Sequence, residues 1–186
     1  MNERFEHNPA LYRFLPSEWV ARHSDLIQPG GLVLDLACGQ GRHSRYFLEQ
    51  GFSVVAVDRD VSLLSAVGLP SDLYKTQLEV IELDLEVDEK PAVLDRLFDA
   101  VVVTRYLHRP LLPYLPAALK PGGVLIYETF AAGNERFGRP SNPDFLLRDN
   151  ELLEAYQSKL VVKAFETVEL TKPRSAVVQR ICAVKK

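Results

Sequence analysis

Residues 33–44 read Val-Leu-Asp-Leu-Ala-Cys-Gly-Gln-Gly-Arg-His-Ser, an apolar strand that runs into a glycine turn and then into a helix. No other stretch of the chain restricts its fold as much. Gly39 and Gly41 lack a Cβ, so the backbone there can turn sharply and come close to a ligand. The helix that follows aims its unpaired N–H groups at the same point. One carboxylate, Asp35, stands at the mouth of the strand.

The remainder of the chain repeats the strand-and-helix theme. Leu32–Leu36 reads as a buried first strand, and residues 42–50 as its helix, ended by Gly51. Further strands are expected over 53–57, 77–83, 99–103 and 124–129, the last entered through the turn Lys120-Pro121-Gly122-Gly123. Helices are expected over 60–67 (stopped by Gly68 and Pro70), 91–97 and 110–119, the last in spite of Pro113 and Pro116. Near-continuous Val, Leu and Ile strands separated by helices predict a parallel sheet covered on both faces. The tail differs. A helix ends over 152–156, and Leu160–Leu170 and residues 176–184 alternate as two strands around Lys172-Pro173-Arg174, an antiparallel hairpin closing the sheet's edge. Ahead of the first strand, residues 17–26 carry Trp19, Val20 and Leu26 and predict an extra helix near the mouth of the site.

A chain of 186 residues is most simply one domain. Its hydrophobic share of 47 % excludes a disordered chain. No apolar run is long enough to span a bilayer, and residues 1–7 have no signal-peptide core, so a cytoplasmic protein without a membrane partner is expected. Cys38 and Cys182 are too few for a disulfide framework and lack zinc-site spacing, so no metal is expected. The expected state is a monomer or homodimer. Net charge is −3, but residues 1–129 carry −6 and residues 130–186 carry +3. Neither half concentrates the basic charge that duplex nucleic acid requires, so nucleic acid is disfavoured as a partner.

The glycine turn next asks which cofactor it suits. Dinucleotide sites place glycine at three set positions with the pyrophosphate on the helix N-terminus. Here Gly39-x-Gly41-x-x-Ser44 has serine in the third place. Asp35 would also repel a pyrophosphate by several kcal/mol, of order 332/(ε·r) with ε about 20. A cofactor bearing an ammonium and a sulfonium would instead be attracted, and S-adenosylmethionine (SAM) carries both. In an open parallel sheet ligands sit beyond the carboxyl ends of the strands. The second strand ends at Asp58, about 20 residues after the glycine turn, where a carboxylate can accept from both ribose hydroxyls. The third ends at Asp84 and Leu85, able to take an adenine amino group and pack on its ring. The fourth ends at Thr104-Arg105-Tyr106, lining the floor. Ala37, Arg42 and His43 in the turn, Arg59 beside Asp58, and Thr104 and Tyr106 complete the candidate cofactor set.

Residues 33–44, 55–58, 82–85, 98–106 and 119–126 resemble, in order, the successive motifs of class I SAM-dependent methyltransferases. The resemblance covers residues 30–130 and is specific in the first motif and the Leu-Lys-Pro-Gly-Gly turn. Within that superfamily the small size, the Gly-Arg-His-Ser run at 41–44 and the C-terminal half are similar to the tellurite-resistance-type group of small bacterial methyltransferases. It implies a Rossmann-like three-layer α/β sandwich, a mostly parallel seven-stranded sheet of order 3-2-1-4-5-7-6 with strand 7 antiparallel. It also implies that Asp35, Gly39 and Gly41 contact the methionine part of SAM, Asp58 the ribose and Asp84 the adenine. The division that follows is a helical extension (1–29), a SAM-binding core (30–130) and a substrate loop, helix and hairpin (131–186).

Methyl transfer from a sulfonium has a good leaving group, so much of the catalysis can come from alignment, worth up to ~7–11 kcal/mol in well-oriented systems. A base is needed only where the acceptor must lose a proton. Tyr106 and His108, just after the fourth strand, are the candidate catalytic pair. Arg105, Arg109, Glu128, Phe130, Arg136 and Arg139 are the candidate substrate contacts, and residues 131–144 read as a long loop covering the acceptor. The expected acceptor is a small molecule, anionic or a soft nucleophile such as a thiol. The alternatives are methylation of RNA or protein, or a non-catalytic SAM-binding partner subunit. Asp35 and Ser44 disfavour an NAD-type dehydrogenase.

Overall fold

The computed structural model describes residues 15–67, 76–87 and 90–186. A short helix α1 (Glu18–His23) precedes β1 (Leu32–Leu36), α2 (Arg42–Glu49) and β2 (Ser53–Asp58). After these come β3 (Leu78–Glu82), β4 (Phe98–Thr104), β5 (Leu119–Phe130), α3 (Glu151–Tyr156), β6 (Leu160–Leu170) and β7 (Ala176–Lys185). The seven strands form one sheet of order β3-β2-β1-β4-β5-β7-β6. β1 to β5 pair in parallel, whereas β7 runs antiparallel to both β5 and β6. This is the Rossmann-like sheet that the motif order implies.

Alternate residues of each strand face opposite sides, as strand geometry requires. Leu34, Leu36, Val55, Val57, Val101 and Val103 fill one core layer, which continues into Leu152 and Tyr156 of α3. Val33, Val54, Ala56, Ala100 and Val102 fill the other, against Trp19 and Val20 of α1 and Phe47 and Leu48 of α2. Each such buried aliphatic or aromatic side chain stabilises by about 1.5–3 kcal/mol relative to exposure. α1 is pinned at its N-terminal end. Trp19 Nε1 donates to the Ile181 carbonyl at 3.3 Å, and the Ser17 N–H donates to His43 Nε2 at 3.1 Å.

Several expected helices are shorter and tighter than the pattern suggested. Residues 60–67, 91–97 and 110–119 contain only 3-10 turns, over Ser62–Val67, Ala92–Asp95 and Arg109–Leu111. Pro110, Pro113 and Pro116 remove the N–H groups that a longer helix there would need. Gly68 and Pro70, read as the stop for the first of these, lie outside the described residues. The glycine turn expected before the fifth strand falls inside it. β5 begins at Leu119, paired with Phe98, and the register shifts before Ala100 meets Val124. Gly122 takes φ +78°, so the turn survives as an irregularity in one strand. The segment 131–144 is not structureless: it folds into 3-10 turns at Asn134–Phe137 and, just beyond, Pro143–Phe145. Among the described residues no helix is long and apolar enough to cross a membrane.

Candidate active site

The carboxyl ends of the parallel strands carry the site. Beyond Leu36 the chain turns through Ala37, Gly39 and Gly41, all left-handed with φ of 55°, 55° and 74°. Gly39 has open space where a Cβ would project, whereas a Cβ on Gly41 would meet Leu64 Cδ2. The turn is laced to its neighbours. Gly39 N–H donates to Asp58 Oδ2 at 2.7 Å, and Cys38 N–H donates to the Val57 carbonyl at 3.0 Å. Asp35 faces inward, only 1 % exposed. Its Oδ2 accepts from the Ser44 N–H at 2.9 Å and the Ser44 hydroxyl at 2.6 Å, at the start of α2. Burial pushes its pKa up to about 6. Asp35, expected to contact the methionine part of the cofactor, holds the glycine turn against the helix through these two bonds.

His43 is likewise held by protein partners. Its Nε2 accepts from Ser17 N–H, so Nδ1 carries the proton and donates to Thr104 Oγ1 at 3.3 Å. Burial, then the charges of Arg42 and Arg105, push its pKa well below the ordinary value, and it stays neutral. His43 and Thr104 therefore engage one another and α1, and neither borders the cofactor cavity described next.

A cavity of about 250 Å³ opens at the ends of β2, β3 and β4. Ala37, Asp58, Arg59, Asp84, Leu85 and Tyr106 line it, all of them in the candidate cofactor set. Leu83 and Glu86 line it too and were not singled out from sequence. Tyr106 projects a buried hydroxyl with no hydrogen-bond partner among the described residues. Burial, then Glu86, Asp84 and Asp58, raise its pKa, so the phenol is a donor and not a base. Three carboxylates in one cavity would repel a pyrophosphate. They can accept from ribose hydroxyls and an adenine amino group, and the lone phenol donor has an acceptor to find. The donor set fits an adenosyl cofactor.

A second cavity of about 460 Å³ lies across Arg105 from the first. Its walls are Glu128, Thr129 and Phe130 at the end of β5, Asn134 and 137–139 in the following loop, and residues 173–176 at the β6–β7 hairpin tip. A third, of similar volume, lies between the start of α1, Arg42 and Lys172. Arg105 borders all three. It holds a left-handed φ of 55°, a conformation costing a non-glycine residue about 1–2 kcal/mol. Its N–H is tied to the Glu128 carbonyl at 2.9 Å. Arg42 borders the third cavity, and burial lowers its pKa to about 10.

The remaining candidates divide. Glu128, Phe130 and Arg139 border the second cavity. Arg109 does not: it donates to Glu151 at 2.7 Å and to the carbonyls of Asp144 and Leu146, clamping the loop's end to α3. Arg136 points outward to Glu169 at 2.6 Å. His108 borders neither the cofactor cavity nor the second one, so the structure does not bring it to the expected catalytic position. Sequence reading missed Arg174, Asn134 and Arg180. Arg180 is buried, donating to Glu128 at 3.2 Å and Glu166 at 2.7 Å, and stacks over Trp19 at 4.7 Å. No local signal marked Arg174, whose neighbours in the cavity lie on other segments.

Fold and site together define a class I methyltransferase. Residues 6–158 match a family described as a methyltransferase domain, and the chain belongs to that family. Its methyl donor is SAM. A curated relative, malonyl-[acyl-carrier protein] O-methyltransferase of Serratia marcescens, is 33 % identical over 107 residues. That match covers 57 % of this chain but only 41 % of the relative's length. Among solved structures, TehB of Haemophilus influenzae superposes with a TM-score of 0.71 at 21 % identity, over 92 % of this chain and 63 % of that one. A Burkholderia thailandensis 1,6-didemethyltoxoflavin-N1-methyltransferase, solved with 1,6-didemethyltoxoflavin and S-adenosylhomocysteine, gives 0.64 at 19 % identity, over 99 % and 81 %. At these identities the superpositions speak for the fold alone.

Proposed function

We propose that the protein methylates a small-molecule acceptor, with SAM in the cavity of Asp58, Asp84, Leu85 and Tyr106 and the acceptor in the cavity of Glu128, Phe130 and Arg139. The observation that carries this reading is the junction at Arg105, where the two cavities meet at the end of β4. A volume of about 460 Å³ suits a small ligand. The glycine turn supplies close backbone approach, Asp58 accepts from the ribose hydroxyls, and Asp84 with Leu85 holds the adenine. Bound SAM supplies an electrophilic methyl on its sulfonium, which passes to the acceptor's lone pair as the C–S bond breaks, leaving S-adenosylhomocysteine and releasing a proton from an N–H, O–H or S–H acceptor. Glu128, buried in the wall of the acceptor cavity, can accept a hydrogen bond from such an N–H or O–H and orient its lone pair. Tyr106, held protonated, donates on the cofactor side.

The test is thermal unfolding with added cofactor. SAM and S-adenosylhomocysteine should each raise the melting temperature, by an amount equivalent to about 2.7 kcal/mol at 100 times Kd. NAD should leave it unchanged. No shift with SAM, or an equal shift with NAD, would overturn the assignment.

A further inference from the structure

The arginines among the described residues divide by whether a carboxylate pairs with them. Arg22, Arg45, Arg96, Arg109, Arg136, Arg148 and Arg180 each pair with a carboxylate. Arg42, Arg59, Arg105, Arg139 and Arg174 show no such pair among the described residues, and three of them, Arg105, Arg139 and Arg174, line one cavity. Its lining includes one carboxylate, Glu128, which already faces Arg180 at 3.2 Å. The cavity is therefore short of negative charge. Phe130, Phe137, Leu170, Ala176 and Val178 give it apolar surface, beside the uncharged polar Thr129, Asn134 and Ser175.

The unpaired guanidiniums sit on a defined mount. Asn134, only 2 % exposed, donates from Nδ2 to the Pro140 carbonyl at 2.9 Å and accepts at Oδ1 from the Val177 N–H at 3.1 Å. It ties the turn that carries Arg139 to β7, next to the hairpin tip that carries Arg174. Arg105 borders the cofactor cavity as well, but Arg139 and Arg174 do not.

We infer that the acceptor is an organic carboxylate with an apolar body, its carboxylate held by Arg139 and Arg174 at the end of the cavity away from the cofactor. This rests on reading that cavity as the acceptor site. The carboxylate is a handle and not the methylated atom, because the two arginines lie off the junction with the cofactor. The methylated atom sits at the other end, beside Arg105 and Glu128. The phenylalanine walls favour an organic body over a bare inorganic oxyanion, which would leave them unfilled.

Calorimetry with 3-phenylpropionate, 3-phenylpropanamide and inorganic phosphate tests this, with and without S-adenosylhomocysteine. The acid should bind about tenfold or more tightly than the amide, since charge-assisted hydrogen bonds distinguish them. Arg139→Ala with Arg174→Ala should erase that ratio, while Arg136→Ala, on the outer surface, should keep it. Equal binding of acid and amide, an unchanged ratio in the double variant, or no acid binding at millimolar concentration would overturn the inference. Tighter binding of phosphate than of the acid would overturn it too. Failure of S-adenosylhomocysteine to bind would count against the cofactor reading instead, while the ligand-free arm still decides the acid.

Discussion

The cavity proposed for the cofactor and the cavity proposed for the acceptor are built by different means. The first is made of strand ends. Ala37, Asp58 and Asp84 follow β1, β2 and β3, which are neighbours in sequence and in the sheet, and their positions are dictated by parallel pairing. The second is made of segments far apart in the chain. Its walls come from the end of β5, a loop folded into 3-10 turns, and the tip of a hairpin more than thirty residues later. Buried polar contacts hold them together: Asn134 to Val177, Gln179 to Leu152, Arg180 to Glu128. A strand-end site follows from the fold, whereas a docked-segment site depends on a few side chains each time.

The largest effect should come from striking the docked side. Arg180 and Glu128 are 6 % and 9 % exposed at their side chains. Arg180→Ala leaves a buried carboxylate unpaired and should destabilise by about 3–5 kcal/mol in urea unfolding. A loss below 1 kcal/mol would mean the acceptor side stands without this pair, and the contrast between the two regions would weaken.

On the cofactor side the matching test is pH. Burial raises Asp35 from 3.8 to about 6 in the folded chain. The folded state thus holds this proton more tightly than the unfolded one. The stabilisation is complete below about pH 4 and is lost as pH rises through about 6, a span worth roughly 3 kcal/mol. Asp35→Asn should flatten this part of the stability profile, measured by urea unfolding across the window. An unchanged profile would show that the carboxylate is not the buried group described.

The two sides also differ in how far they were legible from sequence. The strand order came with the resemblance to class I methyltransferases, whereas the strands themselves and the acids closing the second and third could be read because apolar strands, glycines and acids recur at spacings that the sheet imposes. Asp35 and His43 were located, but their protein partners were not legible. Nothing in a local pattern says that a carboxylate will turn inward to Ser44, or that an imidazole will be enclosed by Ser17 and Thr104. On the acceptor side the loop was recognisable, but its arginines were not separable. Arg136 and Arg139 are three residues apart, and only docking against Glu169 turns one outward while the other enters the cavity. Arg174 looked like part of a plain turn because the residues that share its cavity lie on other segments. Helices over 60–67, 91–97 and 110–119 were overestimated because short apolar runs, the latter two with prolines, can close as 3-10 turns.

The smallest effect sharpens that separation. Arg136→Ala removes an exposed pair with Glu169 and should change stability by about 0–1 kcal/mol. Turnover should be unaffected once an acceptor is in hand. A large loss of turnover would bring Arg136 back into the acceptor site.

The central claim is that cofactor and acceptor occupy separate cavities meeting at Arg105. Its most direct measurement is the calorimetric affinity for S-adenosylhomocysteine of two variants, Asp58→Ala and Arg139→Ala with Arg174→Ala. Asp58→Ala loses charge-assisted hydrogen bonds worth roughly 1.5–3 kcal/mol and should bind at least about tenfold more weakly. The double arginine variant should stay within about twofold of the parent, a difference of under about 0.5 kcal/mol. Equal losses in both variants, or a loss confined to the arginine pair, would contradict the account.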